Sequence, residues 1–300
     1  MEKYVAIDVG GTKVKHSVLL SDGTILTKDK YNTNIDDLNI FLSNMVTVIQ
    51  DYQLDHEIHG VAISLPGFVN VETGFTEHAG AINALHGKNL KELLEEIVDL
   101  PVAIENDGNC VALAEKLSGN AVECDSFICF TIGTGIGGGI YLNGKMVHGH
   151  SSRGGEFGFM VTRGDSLGLK IMHDNAAMKS LIGFYRDFKG LPEQAEVEGH
   201  VIFEEAKTDE KLHAILEKWY ESISFGIFNL VATLNPEKIL IGGGVSSRSE
   251  LLSDINRHLD ELPWWNHVRV PIEVCKHQND AGMLGALQHF LTSQSKKLVN

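Results

Sequence analysis

The chain has 300 residues, of which 43% are hydrophobic and 22% charged, with 25 basic and 40 acidic side chains and a formal charge of −15. A chain of this length can bury a large core without disulfide or metal staples, and a prior of ~150 residues per domain suggests two domains. The acidic balance would repel a phosphate backbone or an anionic membrane, so it disfavours partners of both kinds.

The first predicted elements form an antiparallel three-stranded meander. An apolar, β-branched run over residues 4–9 ends at Gly10-Gly11-Thr12, and a second strand follows over residues 14–20. Ser21-Asp22-Gly23 is typical of a hairpin turn and precedes a third strand over residues 24–27.

Alternating helices and strands complete the first half of the chain. In order, the pattern predicts a helix over residues 38–49, a buried strand over 60–65 that stops at Pro66-Gly67, a helix near 89–98, a strand over 102–105, and a helix with Asn106 or Asp107 at its N-cap. Strands that alternate with helices favour an α/β fold.

The opening pattern then recurs, which indicates an internal duplication. An apolar strand over residues 127–132 leads into Gly133-Thr134-Gly135, a return strand covers 139–142, and Asn143-Gly144 matches the earlier Asp22-Gly23. Two copies of this unit predict two related α/β domains with mixed sheets. The expected boundary lies near Gly119.

The second copy carries an insertion that the first copy lacks. The remaining predicted elements are an insertion over about residues 148–208 with helices around 175–188, a long helix over 212–234, a strand over 238–241 that leads into Gly242-Gly243-Gly244, and a last helix over about 280–291. We predict a small domain of residues 1–118 plus 281–300 and a larger domain of residues 119–280.

Three features bear on where the protein works. The most apolar long stretch, residues 223–236, is shorter than the ~20 residues that span a bilayer and contains polar side chains. The N-terminus lacks the basic region, apolar core and cleavage site of a signal peptide. Cys110, Cys124, Cys129 and Cys275 lie in apolar segments without paired spacing. We therefore expect a cytoplasmic protein with reduced cysteines, no transmembrane helix and no zinc cluster.

Two glycine-rich turns at equivalent positions of the repeat point to phosphate binding. Glycine leaves backbone N–H groups accessible to anionic oxygens, because no Cβ stands in the way. In the first turn, Asp8 adds an acid for a magnesium shell, and Thr12 and Lys13 add a hydroxyl and an ammonium. In the second, Thr131 and Thr134 add hydroxyls. Each turn alone could be a tight hairpin that merely needs glycine, whereas the pair favours a nucleotide site.

The second turn also fits the dinucleotide fingerprint GxGxxG at Gly133, Gly135 and Gly138, with Glu156 at close to the expected acid spacing. That fingerprint requires a helix after the glycines, but residues 140–144 are typical of a strand and a turn. A dinucleotide-dependent oxidoreductase is therefore a weaker alternative. A P-loop is excluded, since no GxxxxGK[ST] string occurs in the chain.

Asn106 and Asp107 stand where a predicted strand ends and a helix begins, the edge at which α/β sheets place ligands. Asp107 can accept a proton from a hydroxyl group while Asn106 orients that group. An ordinary helix cap would also explain such a pair.

A second carboxylate, Glu156, lies in a glycine-flanked loop over residues 154–158, where it could also be a solvated acid. His148 and His150 precede it, but no cysteine or carboxylate at metal-ligand spacing accompanies them. We interpret these histidines as surface or hydrogen-bonding residues.

Six motifs in this order resemble the ROK family of sugar kinases and sugar-responsive repressors. They are DVGGTK at residues 8–13, SLPGFVN at 64–70, ENDGN at 105–109, TIGTGIGGGI at 131–140, GGEFG at 154–158 and IGGGV at 241–245. The resemblance covers essentially the whole chain. It implies two duplicated actin-like (ribonuclease H-like) α/β domains, with mixed five-stranded sheets flanked by helices, that bind sugar and ATP in the cleft between them.

The resemblance also implies roles for residues at the matching positions. Asp107 would take the proton of the sugar's primary hydroxyl as that group attacks the γ-phosphate of ATP. Gly67, Asn106 and Glu156 would hold the sugar hydroxyls. Asp8 would hold a magnesium ion through water. The phosphates, this ion and the adenosine would be bracketed by Asp8, Gly10, Gly11, Thr12, Lys13, Thr131, Gly133, Thr134, Gly135, Gly243 and Gly244.

The chain departs from the family pattern in two ways. Most members have a histidine where this chain has Phe159, followed by a cysteine-rich zinc loop that ends in a glutamate. Here no cysteine occurs between Cys129 and Cys275, so we expect no structural zinc. Phe159 could then offer an apolar face to an aglycone. With the run HQNDAG at residues 277–282, this pattern is similar to β-glucoside kinases, which phosphorylate C6 of the non-reducing glucose of cellobiose and related β-glucosides.

We therefore expect an ATP-dependent β-glucoside kinase with a small-molecule sugar substrate. The main alternatives keep the reaction and change the sugar to glucose, N-acetylmannosamine or fructose. A sugar-sensing repressor of the same family would need a helix-turn-helix before the first motif, yet Asp8 is only eight residues into the sequence. The resemblance leaves a homodimer open, since dimers are common in that family.

Overall fold

The computed structural model describes residues 1–165 and 168–297, and its backbone contacts divide the chain into two compact units. Unit 1 comprises Met1–Cys124, Gly139–Gly154 and Lys276–Asn300, and unit 2 comprises Asp125–Gly138 and Gly155–Cys275. The domain bounds predicted from the sequence stay a prediction.

The first half of the chain forms a five-stranded mixed sheet with its helices. Its elements are β1 (Lys3–Val9), β2 (Lys13–Leu20), β3 (Ile25–Asn32), α1 (Leu38–Asp55), β4 (Ile58–Leu65), β5 (Phe68–Val69), β6 (Phe75–His78), β7 (Lys88–Asn89), α2 (Leu90–Val98), β8 (Val102–Asn106) and α3 (Asp107–Ser118). The strand order is β3-β2-β1-β4-β8, with β1 antiparallel to β2 and parallel to β4. The short strands β5, β6 and β7 form a separate sheet.

The second half repeats this order around a second sheet. Its elements are β9 (Phe127–Ile132), β10 (Ile136–Leu142), β11 (Lys145–Met146), β12 (Val161–Asp165), β13 (Gly168–Ile171), α4 (Met172–Asn175), α5 (Met178–Lys189), α6 (Gly199–Glu205), α7 (Glu210–Leu234), β14 (Lys238–Gly242), α8 (Leu251–Asp260), α9 (Trp265–Val268), β15 (Ile272–Val274) and α10 (Ala281–Lys297). The strand order β11-β10-β9-β14-β15 matches that of the first sheet, which confirms the duplication.

The sheet of unit 1 is apolar on both faces, as parallel strands covered by helices require. Alternate residues of β1 point to opposite sides: Val5 and Ile7 join the core formed with α1 and α2, while Tyr4 and Ala6 join the core formed with α3 and α10. Helix α10 supplies Phe290 to the second core and thereby closes unit 1. This packing fixes the strand ends that carry the polar residues described below.

The structure differs from the sequence-based expectation in the insertion. The predicted helical stretch around residues 175–188 is present as α5, and the described part of the insertion also contains the β12–β13 hairpin and the helices α4 and α6, which were not predicted. The third strand of the first meander also runs on to Asn32, beyond the predicted end at residue 27. Element bounds were missed because polar strands and short helices carry little hydrophobic periodicity.

The strand after the second glycine turn begins at Ile136, so Gly137 and Gly138 lie inside β10. The helix that a dinucleotide fingerprint requires at this position is not formed, and the oxidoreductase alternative is wrong. The four cysteines are buried, and within the described residues they are not joined in disulfides. Across residues 1–165 and 168–297, no helix combines the length and the apolar character needed to cross a membrane.

Candidate active site

The acid of the first turn, Asp8, lies at the end of β1 and is fixed by three neighbours within unit 1. Its Oδ1 accepts a hydrogen bond from the Ser64 hydroxyl at 2.9 Å, and its Oδ2 pairs with the Lys15 ammonium at 3.2 Å. Gly282 approaches so closely that a Cβ there would lie 2.3 Å from Asp8 Oδ1. Sequence reasoning missed Lys15, which the β1–β2 register places opposite Asp8, and Gly282, which only the packing of α10 brings to this carboxylate.

The first glycine turn offers main-chain donors to an anion. Gly10 N–H closes the hairpin by donating to the Lys13 carbonyl at 3.0 Å. The N–H groups of Gly11 and Thr12 are hydrogen-bonded to no other group in the described part of the chain. The Lys13 ammonium donates to the Asn32 side chain on β3. In this arrangement the charge nearest to Asp8 is that of Lys15, whereas the sequence had suggested Lys13 for the phosphates.

The second turn has the same form without a charged residue. Gly133 N–H donates to the Gly135 carbonyl at 2.9 Å, and over residues 1–165 and 168–297 the N–H groups of Thr134 and Gly135 have no acceptor. The next N–H, of Ile136, donates to Nδ1 of His173 at 3.2 Å. Burial lowers the pKa of His173, which favours the neutral ring that this contact needs. Thr131 is half-buried just before the turn.

The two glycines after β14 have different structural requirements. Gly243 has φ +86°, and a Cβ there would lie 2.2 Å from the Ile132 carbonyl oxygen, so no other residue fits without backbone movement. A Cβ on Gly244 would meet no atom within 4 Å. Both glycines are exposed. Gly243 is therefore needed by the fold, whereas Gly244 leaves open space against which a ligand can lie.

Asn106 and Asp107 form the start of α3. Asn106 is the N-cap: its Oδ1 accepts from Asn109 N–H at 3.1 Å, and its Nδ2 donates to the Gly67 carbonyl at 2.9 Å and to Asp107 Oδ1 at 3.2 Å. Asp107 Oδ1 also accepts from Gly108 N–H at 2.8 Å, and the side chain is exposed. These donors orient Oδ1 of Asp107, and the residue stands at the surface of unit 1, where a general base would be accessible to a substrate.

Gly67 is the third predicted sugar-binding residue in this cluster. Its φ is +93°, and a Cβ there would lie 2.0 Å from the His78 carbonyl oxygen. Only glycine therefore allows the turn after β4 to present the Gly67 carbonyl to Asn106.

Sequence reasoning missed a buried carboxylate next to this pair. Glu105 has no exposed surface and accepts hydrogen bonds from His148 at 2.7 Å and from His289 at 3.2 Å. Burial would raise the pKa of Glu105, but the hydrogen bonds and the charge of the two histidines outweigh that effect and hold it well below its usual value. The interpretation of His148 as a hydrogen-bonding residue is confirmed.

The remaining predicted sugar residues lie in unit 2. Glu156 is half-buried at the start of the short turn of 3₁₀ helix Phe157–Phe159. Phe159 is 56% exposed. Its ring packs edge to face against the His173 ring, with the two ring centroids 5.3 Å apart. An exposed aromatic ring held by one partner is suited to contact an apolar group or a sugar ring.

The donor set limits which metals the residues can hold. Among the described residues, no group of three or more histidine, cysteine or acidic side chains could bind a metal ion. Asp8 is a single carboxylate, partly exposed, with both oxygens already engaged by Ser64 and Lys15. Magnesium keeps several waters and commonly binds through one or two carboxylates together with phosphate oxygens. Asp8 therefore fits a magnesium ion bound through water.

Comparison with known proteins places these residues in a family. The model of the ROK family matches residues 4–293. A β-glucoside kinase from Listeria monocytogenes is 36% identical over 298 residues, which cover 98% of this chain and 99% of that protein. A solved structure of a candidate N-acetylmannosamine kinase from Listeria monocytogenes has a TM-score of 0.89 and 37% identity, with 97% of this chain and 99% of that one covered.

A further solved structure carries ligands. It is a ROK family glucokinase from Streptomyces griseus in complex with glucose and AMPPNP, an ATP analogue. Its TM-score is 0.77 and its identity 25%, and the match covers 95% of this chain and 98% of that one.

Proposed function

The chain belongs to the ROK family, and from that premise we propose that it is an ATP-dependent sugar kinase acting on β-glucosides. The reaction would transfer the γ-phosphoryl group of ATP to the C6 hydroxyl of the non-reducing glucose of cellobiose or a related β-glucoside. The observation that carries the proposal is the full-length similarity to a protein named β-glucoside kinase. Both that protein and the sequence-based expectation point to the same substrate class.

Asp107 is the group that we assign to the chemistry. Its exposed carboxylate takes the proton of the C6 hydroxyl as the hydroxyl oxygen attacks the γ-phosphorus, and the bond to the bridging oxygen of ADP breaks. Asn106 orients Asp107 and, with Gly67 and Glu156, is proposed to hold the sugar hydroxyls. This is a catalytic strategy of alignment, which suits a reaction that needs little covalent chemistry from the protein.

The two glycine turns are the proposed phosphate-binding groups. Each has two consecutive N–H donors that are free over residues 1–165 and 168–297, and such donors bind anionic oxygens without requiring a positively charged chain. Gly243 and Gly244 are proposed to lie against adenosine. Magnesium, held through water by Asp8, would neutralise phosphate charge. The AMPPNP complex of the similar glucokinase supports the use of ATP.

The substrate class is supported by one side chain in particular. Phe159 offers an exposed ring where we expect the anomeric end of the sugar, and an apolar ring there favours an aglycone over the free hydroxyl of glucose. Glucose, N-acetylmannosamine and fructose are the alternatives, and the similarity to a candidate N-acetylmannosamine kinase favours the second of these. The four buried thiols support a reducing compartment, so we place the reaction in the cytoplasm.

A direct assay tests the proposal. Purified protein is incubated with ATP and magnesium, ADP formation is followed, and the acceptors are cellobiose, salicin, glucose, N-acetylmannosamine and fructose. We expect the highest kcat/KM with the two β-glucosides and a phosphate at C6 of the product by NMR. Comparable efficiency with glucose and weak turnover of both β-glucosides would move the assignment to a glucokinase.

A further inference from the structure

Glu105 is the most deeply buried acid near the proposed base, and each of its oxygens accepts two hydrogen bonds. Oε1 accepts from the main-chain N–H of Asn106 at 2.8 Å and from the side-chain amide of Asn109 at 3.0 Å. Oε2 accepts from Nε2 of His148 at 2.7 Å and from Nδ1 of His289 at 3.2 Å. The first pair of donors belongs to the cap and first turn of α3, which carry Asp107.

The second pair of donors connects this carboxylate to two other parts of unit 1. His289 lies on α10. His148 begins a loop that is closed when Gly154 N–H donates to the His148 carbonyl at 2.9 Å, and Glu156 follows two residues after Gly154. A shift of the Glu105 carboxylate would therefore displace both the cap that orients Asp107 and the start of this loop.

The two histidines differ in how deeply they are buried. Nε2 of His289 is buried and has no hydrogen-bond partner within the described ranges, so a proton there would leave a buried donor unsatisfied. His148 keeps 26% of its side chain exposed, against 12% for His289. Cys110 also faces Glu105, and its pKa is raised by burial and by the charges of Glu105, Asp8 and Asp107.

We propose that Glu105 is a positioning residue of the phosphoryl transfer: its buried carboxylate, held by His148 and His289, fixes the start of α3 so that Asp107 presents its carboxylate to the substrate hydroxyl. Glu105 itself does not contact the substrate. The inference rests on the proposed role of Asp107. Misplacing a reacting group by about 1 Å can cost roughly 100-fold in rate, so a hydrogen-bond network next to the base can control kcat.

Glu105→Gln tests the proposal, because it preserves shape and one acceptor but removes the charge and turns one oxygen into a donor. The matched control is Glu115→Gln on α3, the helix whose start Glu105 contacts. Glu115 is also fully buried and accepts N–H groups of Asn120 at 2.8 Å and Lys276 at 2.7 Å, but at the other end of α3. We expect both variants to lower Tm, and only Glu105→Gln to lower kcat of the folded protein, by roughly 10- to 100-fold, with little change in KM for ATP.

A second pair of variants keeps the proposal testable if Glu105→Gln does not fold. Gln at position 148 can place an amide N–H near the position of the His148 Nε2 proton, whereas Ala cannot. We expect His148→Ala to lower kcat by about 10-fold, and His148→Gln to recover part of that loss, with the pH dependence of kcat changed in both. A kcat unchanged in His148→Ala and in Glu105→Gln, or a kcat lowered equally in Glu115→Gln, would overturn the positioning role.

The outcomes separate this inference from the proposed function. If the unaltered protein phosphorylates none of the sugars tested, the proposed function fails, and the positioning role, which rests on it, fails with it. If the unaltered protein is active, Asp107→Asn is inactive and Glu105→Gln has normal kcat, only the positioning role is wrong.

Discussion

The two sheets share a strand order, but the residues at their strand ends differ in charge. At the end of β1 stands Asp8, and at the matching place in β9 stands Thr131. In each sheet the next strand ends in a turn. Strand β4, beside β1, is followed by Pro66-Gly67, and strand β14, beside β9, is followed by Gly243-Gly244. Unit 1 also carries the buried Glu105, whereas unit 2 presents backbone N–H groups and hydroxyls at the corresponding turn.

This difference fits the two tasks that we propose for the duplicated backbone. Binding phosphate oxygens requires N–H groups that approach closely, and glycine supplies them without charge. Taking a proton from a hydroxyl requires a carboxylate in a fixed position, and a buried carboxylate requires partners of its own. The proposed base chemistry of unit 1 therefore depends on specific charged side chains, whereas the proposed phosphate contacts of unit 2 depend on backbone conformation. Variants in the two units should therefore lose activity for different physical reasons.

The largest effect is expected for Asp107→Asn in unit 1. Asn keeps the Oδ1 atom that accepts from Asn106 and Gly108, so the local structure should persist while the proton acceptor is lost. General base catalysis contributes about 10²- to 10⁴-fold, and we expect kcat to fall by that factor while ATP and sugar binding by calorimetry stay near normal. Turnover close to that of the unaltered protein would remove Asp107 from the role of base.

In unit 2, substitutions of two adjacent glycines should have different effects, one on stability and the other on ATP binding. Gly243→Ala forces a side chain into a positive-φ conformation against the Ile132 carbonyl, and we expect a loss of at least ~1–3 kcal/mol in the free energy of unfolding. Gly244→Ala has space, so Tm should hardly change, while KM for ATP should rise about 10-fold because the new methyl group occupies the proposed adenosine surface. An unchanged KM for ATP in a folded Gly244→Ala would contradict the adenosine assignment.

Acid should weaken unit 1 through Glu105. Because its folded pKa lies below the ordinary glutamate value of about 4.3, its ionised form adds stability above that pH, and the contribution is lost as the pH falls below it. Urea unfolding between pH 3 and pH 7 should show a steeper loss of stability toward acid in the unaltered protein than in Glu105→Gln. Parallel curves for the two proteins would show that Glu105 is not ionised in the folded chain.

The sequence alone predicted most of the architecture and part of the candidate site. The repeated strand and turn pattern located both glycine turns, and the Asn106 cap followed from the position of a short polar residue between a strand and a helix. Glu105 and His289 were missed because Glu105 meets His148 and His289 only through packing of distant segments, whereas Lys15 was missed although the β1–β2 register places it opposite Asp8. The β5–β6–β7 sheet was missed because strands of two to four residues carry no measurable alternation.

The smallest expected effect concerns which sugar is preferred. Phe159 is exposed and touches His173 only by its edge, so Phe159→Ala should fold normally and keep the proton acceptor intact. Aromatic contacts are worth about 0.5–1.5 kcal/mol beyond area burial, which corresponds to a loss of roughly 2- to 12-fold in kcat/KM. We expect that loss for salicin and cellobiose and almost none for glucose. An equal loss for all three would mean that Phe159 supports the loop rather than the aglycone, and that substrate choice resides in unit 1.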